Sequence, residues 1–340
     1  MLASMHAMVL RNPGPDADFV ATECPLPTPG PGQVRIRVAA SSVNPLDLKL
    51  ASGQVPLLPP APCVLHGDVA GVIDAVGDDV LAFSPGDEVL GFAGGVAAHP
   101  GALADYMLAD ERLITRKPRR LSFMEAAALP AVFITAWQAL VERGRLEAGQ
   151  RVLIHGGAGG VGHVALQIAR CIGAEVATTV SSDDKARAAR DCGADHVIRY
   201  REEAVADYVA RLTGGEGFDL VFDCVGGKNL AASFAASKLG GRIVTINART
   251  TVDLSPLHAG SRSLEVLSIL LPLTAGIGHE QQRQALGKLV ELVEEGEFKV
   301  RLDERQFDFS EVAEAHRHQA SGKAVGKISL VRRQFWDAAQ

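Results

Sequence analysis

The stretch HGGAGGVG, residues 155–162, decides the fold of this chain. It follows the apolar run 152–154 and opens a segment with apolar residues at helical spacing. Glycines let the backbone approach a pyrophosphate, and the helix that follows presents N–H groups and a positive dipole end to that anion. Gly157, Gly159 and Gly162 fit the dinucleotide-binding pattern between a strand and a helix. A tight structural turn is the alternative, since the chain has 35 glycines.

Strand and helix signals alternate on the carboxyl side of this turn. Such alternation predicts an α/β fold with a mostly parallel, doubly wound sheet whose ligand lies at the carboxyl ends of the strands. Strands are expected at 152–154, 175–180, 196–198, 220–222, 243–246, near Val300 and at 328–331, and helices from 161, at 184–192, 203–212, 279–295 and 310–320.

The first hundred residues show a different pattern of residue types. Val34, Ile36 and Val38 alternate with polar residues, and Pro-Gly pairs recur, which is typical of short β-strands joined by turns. Ser122 and Glu125 form a capping-box pattern that begins a helical segment, so a domain boundary is expected near this point. A chain of 340 residues is long enough for two domains.

The composition is that of a globular protein, with 47% hydrophobic and 22% charged residues. A net charge of −6 argues against a nucleic acid or an anionic membrane as partner and favours a small diffusing substrate. The start shows no secretory signal pattern, so a cytoplasmic location is expected. Five scattered cysteines without a C-x-x-C pair indicate reduced thiols and no zinc lobe. The apolar stretch 264–278 is too interrupted to cross a bilayer and predicts a buried strand or a pocket wall.

Several motifs occur in an order that resembles one family over nearly the whole length. The chain resembles the zinc-independent quinone oxidoreductase branch of the medium-chain dehydrogenase/reductase superfamily. The resemblance implies a GroES-like, β-rich catalytic domain from residues 1–125 and 272–340 and a Rossmann NADPH-binding domain from residues 126–271. The motifs are SVNPLD (42–47), GDVAGV (67–72), PGDEV (85–89), AALP (127–130), TAW (135–137), the glycine turn, GADHVI (193–198) and GKAVGKI (322–328).

The positions that bind zinc in other members of this superfamily are changed here. A metal-binding Cys of the zinc-dependent relatives is matched by Asn44, and a His by Gly67. A catalytic zinc needs three protein ligands, so no metal is expected. His66 stands beside the second position, where a loop histidine with an internal partner is the preferred interpretation.

Cofactor choice depends on the end of the second strand of the dinucleotide domain. NAD-binding proteins commonly place an acidic residue there for the ribose 2′-hydroxyl, but residues 179–182 contain none. The resemblance places Lys185 where similar proteins hold the 2′-phosphate, with Ser181 as a further donor, so NADPH is predicted. One alternative is that Ser181 or Ser182 is an ordinary N-cap, that Asp183 and Asp184 serve the helix dipole and that Lys185 is solvated. Another is that Asp183 or Asp184 turns to the ribose and favours NADH.

Further cofactor-binding residues follow from the resemblance and from strand ends. The resemblance implies Thr135 near the nicotinamide, the amides of Gly160 and Val161 on the pyrophosphate, and Tyr200 beside the adenosine end, although Tyr200 suits an ordinary loop aromatic equally well. The expected ligand crevice past the predicted strand ends adds three residues, which are Cys224, Val225 and Asn247.

The predicted reaction is hydride transfer from NADPH to a quinone without a metal. An electrophilic acceptor needs positioning more than Lewis-acid activation, and a donor facing the developing oxyanion lowers the barrier. Asn44 is the candidate donor, with a turn residue before Pro45 as the alternative. Lys49 is a second candidate, as a proton or hydrogen-bond donor, because the resemblance places it where several relatives have Tyr. The alternative is that Lys49 is merely solvated.

An apolar wall for an aromatic or alkyl acceptor is expected from Leu267, Ile269, Leu270, Leu271 and Leu273, with plain core or a dimer-edge strand as the alternative. Members of the family often pair through the cofactor domain, so a homodimer is expected. Rival interpretations are an enone or enoyl-thioester reductase, a non-catalytic NADPH-binding sensor and, disfavoured, a zinc-dependent alcohol dehydrogenase.

Overall fold

The structure, a computed structural model, describes residues 3–15, 17–296 and 298–332. The chain divides into two compact units. We call Met1–Ala131 with Ile269–Gln340 the split unit, and Val132–Ser268 the central unit. The assignment of catalysis to the ends of the chain and of cofactor binding to its centre stays a prediction at this point.

The described residues form strands at the start of the chain, in its centre and near its end. In chain order they are β1 Ser4–Asn12, β2 Asp18–Pro25, β3 Gln33–Ser42, β4 Asp68–Val76, β5 Glu88–Phe92, β6 Tyr106–Asp110, β7 Ile114–Arg116, β8 Arg151–His155, β9 Glu175–Val180, β10 His196–Arg199, β11 Phe218–Asp223, β12 Ser237–Thr245, β13 Ser263–Val266, β14 Phe307–Asp308 and β15 Ser329–Val331.

Helices are concentrated in the central unit and near the end of the chain. They are α1 Pro45–Ala51, α2 Phe123–Ala127, α3 Pro130–Trp137 continued by a π-helical turn Gln138–Arg143, α4 Gly160–Ile172, α5 Asp183–Asp191, α6 Val205–Thr213, α7 Leu230–Ala236, α8 Ser255–Ala259, α9 Leu271–Ala275, α10 His279–Glu295 and α11 Val312–Ala320. Among these helices of the described chain, none is long and apolar enough to cross a membrane.

The split unit is built on a mostly antiparallel sheet that uses segments from both sides of the central unit, with β14 and β15 pairing in parallel. The main path is β14-β15-β3-β4-β5-β7, β6 also pairs with β3, and β1 pairs with β2. Val34, Ile36 and Val38 of β3 are fully buried, as their alternation predicts. β15 pairs antiparallel with β3, so the last strand completes a sheet begun by the third. The predicted capping box is confirmed: the Ser122 amide donates to Glu125 at 2.9 Å at the start of α2.

The central unit is a parallel sheet of six strands in the order β10-β9-β8-β11-β12-β13. The chain runs from β8 outward through β9 and β10, then returns to β11 on the other side of β8 and runs outward again. The order therefore reverses between β8 and β11, which is where α/β sheets of this kind bind ligands. The predicted strand Glu175–Val180 is confirmed to the residue.

Two secondary-structure predictions are wrong. Val300 lies in no strand; the nearest pairing is a parallel bridge between Leu302 and Lys327. The apolar stretch 264–278 is not one buried strand, because β13 ends at Val266 and Pro272 stands in the first turn of the short helix α9. Apolar composition alone does not distinguish these structures. All five cysteines are free thiols.

Candidate functional site

The glycine turn lies at the carboxyl end of β8, and its glycines are required by close packing. A Cβ at Gly157 would lie 2.1 Å from Oγ1 of Thr178 on β9, and a Cβ at Gly162 would lie 2.2 Å from the carbonyl oxygen of Gly156. Gly156 itself has φ +78°, a left-handed conformation that favours glycine. The turn therefore presses against β9 and against the start of α4 at distances that no side chain permits.

The start of α4 leaves backbone donors facing away from the helix. Gly159 is its N-cap and supplies no side-chain acceptor, so the amides of Gly160, Val161 and Gly162 have no partner within the helix. The first helical bond runs from the amide of His163 to Gly159 at 3.0 Å. These three amides and the helix dipole form an anion-binding site for a pyrophosphate. The residues present therefore fit a dinucleotide.

His155, the last residue of β8, adds a buried polar atom at the point where the strand order reverses. Its Nδ1 lies 3.1 Å from Oγ1 of Thr179 on β9, while its buried Nε2 has no hydrogen-bond partner among the described residues. Burial lowers the pKa of His155, and the nearby Asp223 opposes that shift. The ring is therefore neutral, with one nitrogen left for a ligand or a water molecule.

The loops that follow β11 and β12 meet beside the glycine turn. Asp223 accepts from the amides of Val225 and Gly226 at 2.9 and 2.7 Å, and Asn247 donates through Nδ2 to the carbonyl oxygen of Val225 at 2.9 Å. A Cβ at Gly156 would lie 3.5 Å from Cγ2 of Val225. Val225 and Asn247 are thus brought together, with Val225 next to the turn. Cys224, between Asp223 and Val225, has its thiol pKa raised by burial and by Asp223.

The ends of β9 and β10 hold the residues predicted for the adenosine side. Ser182 caps α5 by accepting from the amide of Lys185 at 3.4 Å, while Ser181 precedes the cap. Tyr200 follows β10, is half exposed, and has the guanidinium carbon of Arg201 5.7 Å from its ring centre. Ser181, Lys185 and Tyr200 therefore follow two adjacent parallel strands at one edge of the sheet. Their nucleotide contacts stay predictions.

The remaining cofactor and pocket candidates are dispersed. Thr135 is buried in α3. Leu267 is buried after β13, with its amide donating to the carbonyl oxygen of Thr245 at 2.9 Å. The others belong to the split unit: Ile269 and Leu270 are half-buried in a turn, Leu271 is exposed at the start of α9, and Leu273 is buried.

The split unit contains a buried charged cluster around Asn44. The Nδ2 of Asn44 donates to Oδ2 of Asp68 at 2.7 Å, and its Oδ1 accepts from Nζ of Lys327 at 2.7 Å. Lys327 also donates to the carbonyl oxygen of Val43 at 3.0 Å and lies 3.4 Å from Asp68. Ser42 donates to the same carboxylate at 2.6 Å. We call Asn44, Asp68 and Lys327 the buried triad.

The triad changes the interpretation of Asn44. Both ends of its side-chain amide are engaged, so the second N–H of Nδ2 is the donor that Asn44 itself has left for a substrate oxygen. Asn44 is also the N-cap residue of α1, and its backbone N–H donates to Oδ2 of Asp47 at 2.7 Å. The alternative role of Asn44, as a turn residue before Pro45, is therefore present as well. Lys49 is half-buried in α1, and its carbonyl oxygen accepts from the amide of Val55 at 3.1 Å.

A pair of buried histidines lies close to the triad. Nε2 of His66 is 2.9 Å from Nε2 of His316, and the rings are stacked. Burial lowers the pKa of each to about 3, so one neutral ring donates to the other. His66 is therefore a loop histidine with an internal partner. Burial raises the pKa of Asp47 to about 7, against an opposing effect of His316.

Four residues of these clusters, Lys327, Asp68, His155 and Asp223, were not predicted as site residues from the sequence. Lys327 and Asp68 stand within motifs that carried the resemblance, but 259 positions separate them and no spacing rule connects them. His155 begins the glycine turn, whose pattern says nothing about its side chain. Asp223 has a usable signal, because it is a carboxylate directly after the apolar run 220–222 and ends β11 on one side of the strand-order reversal.

Comparisons with known proteins agree with this architecture. The family model "Alcohol dehydrogenase GroES-like domain" matches residues 30–119, and "Zinc-binding dehydrogenase" matches residues 192–330. The quinone oxidoreductase of Homo sapiens is 31% identical over 295 residues, covering 86% of this chain and 87% of that protein. A subunit of the phenolphthiocerol/phthiocerol polyketide synthase of Mycobacterium tuberculosis is 34% identical over 296 residues, covering 86% of this chain and 13% of that protein. A mycobacterial structure solved in complex with NADPH has TM-score 0.85 and 31% identity, covering 96% of this chain and 99% of that one.

The central unit has a parallel sheet with a glycine turn where the strand order reverses, and the split unit is rich in β-strands. This combination defines the class of two-domain nucleotide-binding oxidoreductases. The chain belongs to the medium-chain dehydrogenase/reductase superfamily, in its quinone oxidoreductase branch. The predicted fold class, a GroES-like unit with a doubly wound Rossmann unit, is confirmed.

Replacing Gly157 by alanine tests the packing of the turn. The added Cβ meets Oγ1 of Thr178 at 2.1 Å, so the turn must move away from β9. We expect NADPH to bind at least about tenfold more weakly, about 1.4 kcal/mol, by calorimetry. Gly287→Ala is the control, because its Cβ enters open space in α10 and the change should leave binding unaltered and raise stability by about 0.5–1 kcal/mol. If both variants bound NADPH as tightly as the native protein, the turn would accept a side chain at Gly157 and the packing argument would be wrong.

Replacing Lys327 by methionine tests the triad. The change leaves the carboxylate of Asp68 buried without a cation, and breaking a buried pair costs about 3–5 kcal/mol. Urea unfolding should report a loss in that range. Lys323→Met removes an exposed lysine four positions earlier and should change the free energy of unfolding by less than about 0.5 kcal/mol. A loss of the same size in both variants would show that the pair with Asp68 is not responsible.

Proposed function

We propose that this oxidoreductase transfers a hydride from NADPH to a quinone without a metal ion. The observation that carries the proposal is the buried triad, because the ammonium of Lys327 lies between the oxygens of Asn44 and Asp68. The 31% identical human quinone oxidoreductase supports the substrate class, and the mycobacterial complex supports NADPH.

Two positions of the split unit argue against zinc. By the family resemblance, the zinc-binding Cys and His of other members are matched by Asn44 and Gly67. A side chain at Gly67 has no room, because its Cβ would lie 2.4 Å from the ring of Phe92 and 2.7 Å from the carbonyl oxygen of Gly94. At Asn44 the amide oxygen already accepts from the ammonium of Lys327, whose positive charge repels a second cation. Both observations support a reaction that does not use zinc at these positions.

Without a metal ion to polarise the acceptor, hydride transfer requires an acceptor that is already electrophilic. NADPH, when bound, supplies the hydride. The second N–H of Asn44 is the proposed donor to the oxygen on which negative charge develops, and Lys327 strengthens it by hydrogen-bonding the same amide through its oxygen. Lys49 is proposed as a further donor near that oxygen, and Leu267, Ile269, Leu270 and Leu271 as apolar contacts of the acceptor.

On the nucleotide side, the proposed contacts follow the order of the strands. Thr135 contacts the nicotinamide, and the loops carrying Cys224, Val225 and Asn247 lie beside the switch point between β8 and β11. The glycine turn, through Gly157, Gly159, Gly160, Val161 and Gly162, binds the pyrophosphate. Ser181, Lys185 and Tyr200 bind the adenosine end with its 2′-phosphate.

A double-bond reductase is the second candidate. The polyketide synthase subunit that is 34% identical to this chain is the observation that favours it, since the same hydride and the same oxyanion donor suffice for a conjugated double bond. A non-catalytic NADPH sensor shares the nucleotide contacts but predicts no turnover.

The test is the initial rate of NADPH oxidation with 1,4-benzoquinone, with a simple enone and with NADH as control donor. We expect the quinone to give kcat/KM at least about tenfold above the enone, and dialysis against a chelator to leave kcat unchanged because no step requires a metal. A preference for the enone would move the assignment to the double-bond reductase, and NADPH binding without turnover would favour the sensor. Loss of rate on chelation would contradict the metal-free proposal.

We also infer a homodimer formed by the central unit. β13 pairs only with β12 among the described strands and leaves one row of backbone groups unpaired, with Val266 59% exposed. Sedimentation should give about twice the chain mass of 35.8 kDa. Val266→Lys should shift it toward the monomer by placing charge on this edge, whereas Leu81→Lys, at a 95% exposed site of the split unit, should not. A monomeric native protein would refute the inference.

A further inference from the structure

The parallel pair β9–β10 ends in an ion pair that crosses between its strands. Val180 and Arg199 are register partners, so the segments that begin at Ser181 and at Tyr200 leave the sheet side by side. The guanidinium of Arg199 binds the carboxylate of Asp183, the first residue of α5, and also donates to Glu202 at 2.8 Å. Arg199 is largely buried, with 29% of its side chain exposed, whereas Asp183 is 83% exposed.

The neighbouring aspartate of the same helix is held differently. Asp184 pairs with Arg187, three residues later in α5, so its partner belongs to the same helix turn. Asp183 is instead fixed toward the next strand of the sheet. Of the two carboxylates at the start of α5, only Asp183 pairs with a residue of β10.

A carboxylate at the end of this strand decides between the two nicotinamide cofactors. An acidic residue there accepts a hydrogen bond from the ribose 2′-hydroxyl of NADH and repels the 2′-phosphate of NADPH. Asp183 lies only three positions after the last residue of β9, close enough in sequence to take that role. The sequence by itself leaves this choice open, because it shows Asp183 and Lys185 but not which charge is neutralised.

We propose that Arg199 sets the preference for NADPH by pairing with Asp183 and holding that carboxylate toward β10. The 2′-phosphate then meets Ser181 and Lys185 while the carboxylate of Asp183 is engaged by a guanidinium. This inference rests on the proposed NADPH function. Arg199 acts through Asp183 and is a positioning residue, because a guanidinium matched to a carboxylate fixes its orientation as well as its charge.

The experiment measures dissociation constants for NADPH and NADH by calorimetry on the full chain. In Arg199→Gln, Asp183 is released, and we expect the NADPH constant to rise about tenfold while the NADH constant stays level or falls. Adding Asp183→Asn to that variant should return the NADPH constant to within about twofold of the native value, because the released charge is gone. Both dissociation constants are measured on the same preparation. A smaller fraction of folded protein therefore affects both measurements equally and leaves their ratio unchanged.

The matched control is Arg187→Gln, which releases Asp184 on the same helix and should leave the ratio unchanged. An unchanged ratio in Arg199→Gln would overturn the inference. So would failure of Asp183→Asn to restore NADPH binding in the double variant, since Arg199 would then act without Asp183. Native protein that binds neither nucleotide refutes the proposed function itself, whereas native NADPH binding with an unaltered Arg199→Gln ratio refutes only this inference.

Discussion

The ammonium of Lys327, buried between Asn44 and Asp68, is the interaction on which the split unit depends. A buried lysine is tolerated only when its charge is paired and its donors are satisfied, and here the carbonyl oxygen of Val43 provides a further acceptor. Burial lowers the pKa of Lys327, while the carboxylates of Asp68 and Asp47 oppose that shift. The requirement holds the segment that carries Lys327 against the start of α1 and the start of β4. The catalytic candidates therefore depend on a residue near the carboxyl end.

The central unit depends on a different constraint, which is space. Its glycine turn packs so closely on β9 that side chains are excluded at Gly157 and Gly162. The backbone amides at the start of α4 are therefore the groups that can bind a ligand there. The order of the strands then spreads the predicted cofactor residues along one edge, from Tyr200 after β10 to Asn247 after β12. Electrostatics enters at the β10 end, where Arg199 engages Asp183.

The alternation of strands and helices, the capping box and the glycine turn were predictable because each depends on neighbours within a few residues. The strand expected near Val300 was wrong, and so was the buried-strand alternative for 264–278, because apolar content does not report hydrogen-bond partners; the pocket-wall alternative stays a prediction. Asn44 was selected as a site residue from the family resemblance, but its partners were not, since Asp68 and Lys327 lie 24 and 283 positions away along the chain.

The sequence by itself determined the nucleotide-binding sheet, the position of its phosphate turn and the replacement of the zinc-ligand positions by Asn44 and Gly67. The sheet and the turn follow from residue types at local spacing, where steric exclusion and backbone hydrogen bonding act, whereas the changed zinc-ligand positions are what the family resemblance implies. Only the tertiary structure decided that a lysine ammonium pairs with Asn44, that His155 keeps a buried ring nitrogen without a partner among the described residues, and that Asp183 pairs with Arg199 of the neighbouring strand. Charge pairing and burial act through space between residues far apart in the chain, and no local pattern encodes them.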